Sequence, residues 1–275
     1  MADGWSGDTL IRCRKGDSRL NLLIAIPVHN ELGHVERVLG EVRRYHDEIL
    51  VVDDGSQDGT SEVLQDLSRS GRLGWIRHKV NLGYGKSVID AFRFAAVRGY
   101  DWVITMDCDE QHEPRSIPRF IDEINTERWD VISGSRYLRP NADDDLPPSS
   151  RQKINATITD LLNRKLGLEL TDAFCGFKAH RVSALGGLAL EEAGYAFPLQ
   201  FWPRAAKAGL RITEIPVRLI YNDPNRHFGG RLDDPRRRLR HYLRVLDAEM
   251  QRRAPEPLPR EAEVVSALSG CCYPD

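Results

Sequence analysis

Short apolar runs alternate with longer stretches of helical period along the first half of this chain. LLIAIP (22–27), EILVVD (48–53), GWIRH (74–78), WVITMD (102–107) and DVISGS (130–135) predict strands. Between them, residues 32–44, 59–68, 84–98 and 114–125 have helical spacing; Val88, Ala91, Phe92 and Ala95, for instance, share one face. Alternation of this kind predicts an α/β protein with a mostly parallel, doubly wound sheet flanked by helices. In such sheets ligands sit at the carboxyl ends of the strands.

Each predicted strand of this half runs into a polar loop. PVHNE follows the first, DDGSQDGT the second, VNLGYGKS the third, DCDEQHEP the fourth and GSRY the fifth. Five such loops on one sheet edge make a site by geometry alone.

The second half is less regular. Residues 139–152 have the composition of a mobile loop, and a helix is predicted from Ile154 to Leu166. AFCGFKAHR reads as a turn feeding a short strand, 197–208 as a helix and 211–221 as a strand joining the sheet. Asp234-Pro235 can start a last helix with Leu239, Tyr242, Leu243, Leu246 and Met250 on its apolar stripe. Residues 1–20 read as an extension and 254–275 as a flexible tail.

Composition narrows the function classes. With 275 residues, 41% of them hydrophobic, the chain can bury a real core, and 39 basic against 41 acidic residues leave no global field for nucleic acid. Any electrostatic function is local. Cys13, Cys108, Cys175, Cys271 and Cys272 form no CxxC and no zinc spacing, which fits a reducing cytoplasm. The first apolar run is too short for a secretory signal or a membrane span.

The loops carry the candidate chemistry. In VVDDGSQDGT, Asp53 and Asp54 end a strand; they fit either a joint capped by Asp58 or a carboxylate that accepts hydrogen bonds from a base or ribose. There is no GxGxxG and no GxxxxGK[ST], which argues against a dinucleotide fold and a phosphate loop. In MDCDEQHEP, Asp107 and Asp109 can converge on a hard divalent cation, with Gln111 and His112 close by, or form a solvated turn. Arg136 in GSRY and Arg226 beside Gly229 and Gly230 have the planar fork that suits a phosphate, or a local carboxylate.

Taken in chain order, IPVHNE, VVDDGSQDGT, NLGYGKS, MDCDEQHEP, GSRY, DAFCGFKAHR and EIPVRL followed by NRHFGG resemble the family 2 glycosyltransferases of the GT-A fold. Within them the chain looks most like the polyprenyl-phosphate (dolichol-phosphate) mannose synthases. The resemblance spans about residues 22–231 and implies a single Rossmann-like domain over 21–253, with a nucleotide-sugar half to about 136 and an acceptor half beyond it.

It also implies roles. Pro27, His29, Asn30, Glu31, Asp53, Asp54, Lys86, Asp107, Cys108 and Asp109 would line the nucleotide-sugar site. Asp107, Asp109 and Gln111 would hold Mg2+ or Mn2+, and Ser135, Arg136 and Arg226 would meet donor and acceptor phosphates. Asp107, Asp109, Arg136 and Asp172 form the implied catalytic set, Asp172 being the candidate base if the acceptor is a hydroxyl. Lys86 stands where the family carries a small residue, so it either reaches the phosphates or points outward.

The implied reaction moves a sugar, mannose from GDP-mannose, to a polyprenyl phosphate with inversion. The alternatives are a UDP-sugar donor, a hydroxyl acceptor, or binding without turnover. The implied place is the cytoplasm, at the cytoplasmic face of a membrane, through the arginine-rich last helix or a membrane partner subunit.

Overall fold

A strand covered on both faces has no polar side, and the apolar runs of the first half are of that kind except the one at 74–77, which stays partly exposed at the sheet edge. In the structure, a computed structural model describing residues 20–71, 73–139, 144–145, 147–221 and 230–252, they form β1 (Leu22–Val28), β2 (Ile49–Asp53), β3 (Gly74–Arg77), β4 (Trp102–Thr105) and β5 (Val131–Ser135). All of β2, β4 and β5 is out of solvent. Two later strands, β6 (Lys178–Arg181) and β7 (Ile212–Pro216), complete a seven-stranded sheet in the order β3-β2-β1-β4-β6-β5-β7. The described residues from Asn21 onward fall within one compact unit.

Parallel register links β1 to β2 and β4, β2 to β3, and β5 to β7. Only β6 runs the other way, antiparallel to both β4 and β5. The chain therefore enters β6 at the edge where its neighbours end. Residues 171–177 reach the ligand edge from the amino side of their strand, which the strand-helix pattern did not foretell.

The helices are α1 (Val35–Val42), α2 (Thr60–Arg69), α3 (Tyr84–Val97), α4 (Ile117–Ile124), α5 (Ser149–Leu166), the short α6 (Val182–Leu185), α7 (Phe197–Lys207) and α8 (Pro235–Gln251). The predicted face of α3 is the buried one. It shares one hydrophobic core with Leu23, Ala25, Leu50, Val52 and Val103 of the sheet, and Phe92 meets Phe197 of α7.

Two local expectations are corrected. Helix α5 starts at Ser149, inside the expected loop, because Pro148 sets the entry while the apolar period begins only where Ile154, Ile158 and Leu162 are buried. Gly59, at φ 101, occupies the cap position of α2, and Asp58 instead accepts from the Leu32 and Thr60 backbone N–H groups. In α8, Asp234 does cap the helix, accepting from Arg236 and Arg237 N–H.

Helix α8 packs on α7 through a buried ion pair. Arg204 donates to both oxygens of Glu249 at 2.8 Å, and Gln200 adds a third donor at 2.9 Å. Arg236, Arg237, Arg240 and Arg244 stay exposed. Among the described residues no helix is long and apolar enough to cross a membrane.

Candidate active site

The carboxyl edge of the sheet opens on a cavity of about 830 Å³. The loops after β1, β2, β4 and β5, the start of α3, and parts of α5, α7 and α8 contribute to its wall.

On one side the first two loops are laced together. The Asn30 backbone, at φ 56, donates to Ser56 Oγ, while Asn30 Oδ1 accepts from the Gln57 N–H. Glu31 N–H donates to Thr60 Oγ1, and the His29 ring contacts the Asp54 carbonyl at 2.8 Å. Asp53 turns inward: fully buried, it accepts from Ser56 N–H and Ser61 Oγ and holds the loop rather than facing the cavity. Gly55, at φ +70, lies so close to Val80 that a Cβ would meet its carbonyl carbon at 2.5 Å.

Asp54 faces the cavity and gathers three donors. Leu82 and Gly83 N–H reach it at 2.7 and 2.8 Å, and the His78 ring at 2.7 Å. Burial opposes its charge, but these hydrogen bonds hold the carboxyl below its usual range. A carboxylate offers about four acceptor positions, so roughly one is left for a ligand.

Glycines 83 and 85 serve packing. A Cβ on Gly85 would sit 2.1 Å from the Glu192 carbonyl oxygen, and one on Gly83 2.3 Å from that of Ala193. Lys86 N–H donates to the Ala193 carbonyl, while the Lys86 ammonium pairs with Asp90 one turn on. Lys86 is thus directed to Asp90 and does not line the cavity.

The loop after β4 brings Asp107, Cys108, Asp109 and Gln111 to the wall. Asp109 accepts from the Gln111 N–H at 3.0 Å. The Tyr84 hydroxyl bonds to Asp107, and burial together with that carboxylate keeps the phenol protonated, its pKa well above the usual value. Gly176 passes directly behind: a Cβ there would lie 2.7 Å from Asp107 Oδ2. Glu110, at φ 61, ties this loop to α1 through His34 and Arg37.

The donor set fits a hard divalent cation. Two carboxylates stand at the wall with the Gln111 amide, whose oxygen could add a ligand, while its Nε2, buried with no hydrogen-bond partner, is a donor suited to a phosphate oxygen and not to the cation. Among the described residues no group of three His, Cys, Asp or Glu could hold a metal by itself, so phosphates of a ligand would complete the sphere. His112 is not part of it. Its Nδ1 accepts from the Asp107 N–H at 2.9 Å, and burial pushes its pKa down to about 4.

On the other side the site is built on buried charge. Arg136 grips Asp172 with a two-pronged contact, Nε to Oδ2 at 2.6 Å and Nη2 to Oδ1 at 2.9 Å. Asn155 Nδ2 adds a bond at 2.8 Å. Burial of Asp172 is outweighed by the arginine, which holds its carboxyl far below the usual range. Asp172, the candidate base on sequence grounds if the acceptor is a hydroxyl, is fully buried and bonded to Arg136 and Asn155, an arrangement that suits holding Arg136 in place.

Arg136 keeps about three N–H donors for a ligand. Ser135 is spent on Thr171 and on the Tyr137 and Leu138 N–H groups. Arg226 lies outside the described residues. Arg151 of α5 and Arg238 of α8, which the motifs did not single out, also line the cavity, as does buried Lys178. Lys178, in CGFK, donates to the Cys175 carbonyl and sits 5.4 Å over the Trp202 ring.

Comparison with known proteins agrees with this architecture. Residues 23–188 match Glycosyl transferase family 2. The undecaprenyl-phosphate mannosyltransferase of Micrococcus luteus is 32% identical over 207 residues, covering 73% of this chain and 84% of that protein. The polyprenol monophosphomannose synthase of Mycolicibacterium smegmatis is 29% identical over 202 residues, 71% and 76% of the two chains. The solved glucosyl-3-phosphoglycerate synthase of Mycobacterium tuberculosis, in complex with Mn2+, UDP and glucosyl-3-phosphoglycerate, shares the GT-A fold at TM-score 0.59 and 19% identity, over 86% of this chain and 81% of that one. The chain is a glycosyltransferase and belongs to glycosyl transferase family 2.

Proposed function

We propose that the protein transfers mannose from GDP-mannose to a polyprenyl phosphate, of the undecaprenyl or dolichyl type, with inversion at the anomeric carbon. The observation that carries this reading is one cavity with an acidic pair, Asp107 and Asp109, on one wall and the Asp172-anchored Arg136 on the other. The two mannosyl relatives supply the sugar and the acceptor class. The first loops and Asp54 take the nucleotide, in the half up to about residue 136, and the later half takes the acceptor.

A divalent cation, Mg2+ or Mn2+, on Asp107 and Asp109 would neutralise charge on the departing diphosphate. Tyr84 and Gly176 fix the Asp107 carboxylate, and the Gln111 amide oxygen would be the further ligand from this loop. An oxygen of the acceptor phosphate forms the new bond to the anomeric carbon as the bond to the nucleoside diphosphate breaks. That oxygen is already anionic, so no proton must be removed. This matches a cavity whose buried Asp172 is committed to Arg136.

A UDP-sugar donor is the second reading, favoured by the shared fold with a synthase that binds UDP. The exposed arginines of α8 support contact with an anionic membrane surface on the cytoplasmic side. The test is transfer from labelled GDP-mannose, and in parallel UDP-glucose, to a short polyprenyl phosphate with Mg2+, Mn2+ or chelator. Lipid-linked mannose that requires the cation is expected. Equal product in chelator removes the metal role, and lipid-linked product only from UDP-glucose replaces the donor. Co-sedimentation with phosphatidylglycerol vesicles, lost on charge reversal of Arg240 and Arg244, tests the surface contact.

A further inference from the structure

The loop after β3 has no regular structure over residues 78–83, and Val80 and Leu82 are 60% and 43% exposed. It has little apolar burial to hold it. What holds it is a chain of charges: Asp54 binds the Leu82 and Gly83 N–H groups, and the His78 ring binds Asp54. The other ring nitrogen, Nε2, contacts Asp90 of α3 at 3.0 Å.

That geometry fixes the charge of the ring. A neutral imidazole has one N–H and one lone pair, so between two carboxylates it would turn a lone pair toward an anion. With both nitrogens protonated it donates to each. The ring is buried, 7% exposed, and the groups facing it are Asp54 at the end of β2 and Asp90 on α3. Lys86 and Arg93 of α3 also pair with Asp90, Lys86 at the same Oδ2 that the ring contacts and Arg93 at Oδ1. The His78 backbone N–H donates to the Asp53 carbonyl, and the Asp53 carboxylate is taken by Ser56 and Ser61, with the Arg77 guanidinium 3.9 Å away.

We propose that His78 is a positioning residue for the nucleotide: as an imidazolium bridging Asp54 and Asp90, it fixes the Asp54 carboxylate and the Leu82–Gly83 backbone against the donor. The proposal rests on the reading that Asp54 faces the donor nucleotide. Its physical content is charge balance. A bare carboxylate in the cavity would repel the diphosphate, whereas one neutralised from behind keeps an acceptor for a base or ribose N–H or O–H at little electrostatic cost. Asp90 keeps the ring protonated, and Lys86 in turn compensates Asp90. This gives Lys86 an indirect part in the site that its position in GYGKS alone would not.

The ring should remain charged through neutral pH. Hydrogen bonds to Asp54 and then Asp90, against the opposing effect of burial, raise its pKa to about 9. Donor binding should therefore weaken as pH rises through that value.

The experiment combines side-chain nitrogen NMR of His78 with calorimetric binding of GDP and UDP, on wild type, His78→Gln, Asp90→Asn and the double variant. The expected result is a ring protonated on both nitrogens at about pH 7.5. Kd for the preferred nucleotide should rise about tenfold in His78→Gln, with kcat changed less than about twofold. Asp90→Asn should lower the ring pKa by about one unit, and add nothing to Kd once His78 is gone.

A neutral ring at that pH, or a His78→Gln Kd within twofold of wild type, overturns the proposal. So do additive effects of the two substitutions, which a merely structural role would give. If wild type binds neither nucleotide, the donor reading falls, and the clamp is then judged on amide exchange of Leu82 and Gly83. Faster exchange in His78→Gln supports the clamp, and unchanged exchange overturns it.

Discussion

The two walls of the cavity are held by different forces. On the proposed nucleotide side, apart from the buried Asp54–His78–Asp90 chain, the short loops after β1 and β2 are cross-linked by backbone N–H groups and small side chains, as in Asn30 to Ser56 and Glu31 to Thr60. On the proposed acceptor side, ion pairs span long sequence separations: Arg136 with Asp172 at the wall, and Arg204 with Glu249 between α7 and α8. The first arrangement spreads its stability over many modest bonds of about 1 kcal/mol each. The second concentrates it in a few buried charges whose loss leaves a partner uncompensated. The β1 and β2 loops should thus tolerate single changes that the Arg136–Asp172 pair does not.

Asp172→Asn should break that comparison most sharply. It leaves the Arg136 guanidinium buried beside a neutral amide, and stability measured by urea unfolding should fall by about 3–5 kcal/mol. A loss no greater than that of Ser56→Ala would erase the distinction between the walls. Asp109→Ala, by contrast, should lower transfer about 100- to 1,000-fold while leaving the urea midpoint close to wild type, because it removes charge stabilisation rather than packing. Unchanged turnover would take the acidic pair out of the reaction.

Gly85→Ala separates packing from ligand binding. Helix propensity favours alanine by about 0.8–1 kcal/mol. Overpacking against the Glu192 carbonyl costs about 1–3 kcal/mol and should win, so a lower melting temperature is expected. A raised melting temperature would show that this close approach yields readily.

The smallest effects concern pH, and two buried histidines should act in opposite directions. His78 has its folded pKa raised from 6.5 to about 9, so its stabilisation is complete below about pH 6.5 and fades as pH rises through 9. His180, between the Phe92 and Phe201 rings, is pushed down to about 3 by burial and by nearby Lys178. It favours folding above 6.5 and loses that contribution as pH falls toward 3. Urea midpoints against pH for His78→Gln and His180→Phe check this: the first should flatten the alkaline limb, the second the acid limb.

Legibility in the sequence follows the same division. Runs such as Ile49–Asp53 and the polar loops after them announce themselves because strand, loop and helix are contiguous. The placement of Asp107 and Asp109 at the cavity wall follows from their position after β4. Asp53 and Lys86 carried motif signals as good as those of Asp54, yet one turns inward and the other pairs with Asp90. Side-chain direction in a tight loop depends on partners that motif spacing does not name. Tyr84 and Gly176 lay within quoted motifs, but their contact with Asp107 joins α3 and the entry to β6 across the fold.

The sequence by itself determined the α/β alternation, the family and the edge at which the chemistry gathers, because apolar period and loop chemistry are local properties. Tertiary structure decided the rest. The antiparallel course of β6 brings Asp172 and Gly176 to the ligand edge, and it sets the Asp172 carboxylate against the Arg136 guanidinium. Only the fold places His78 between Asp54 and Asp90. The physical reason is that burial and charge pairing are set by which segments meet, and strand order and direction fix those meetings.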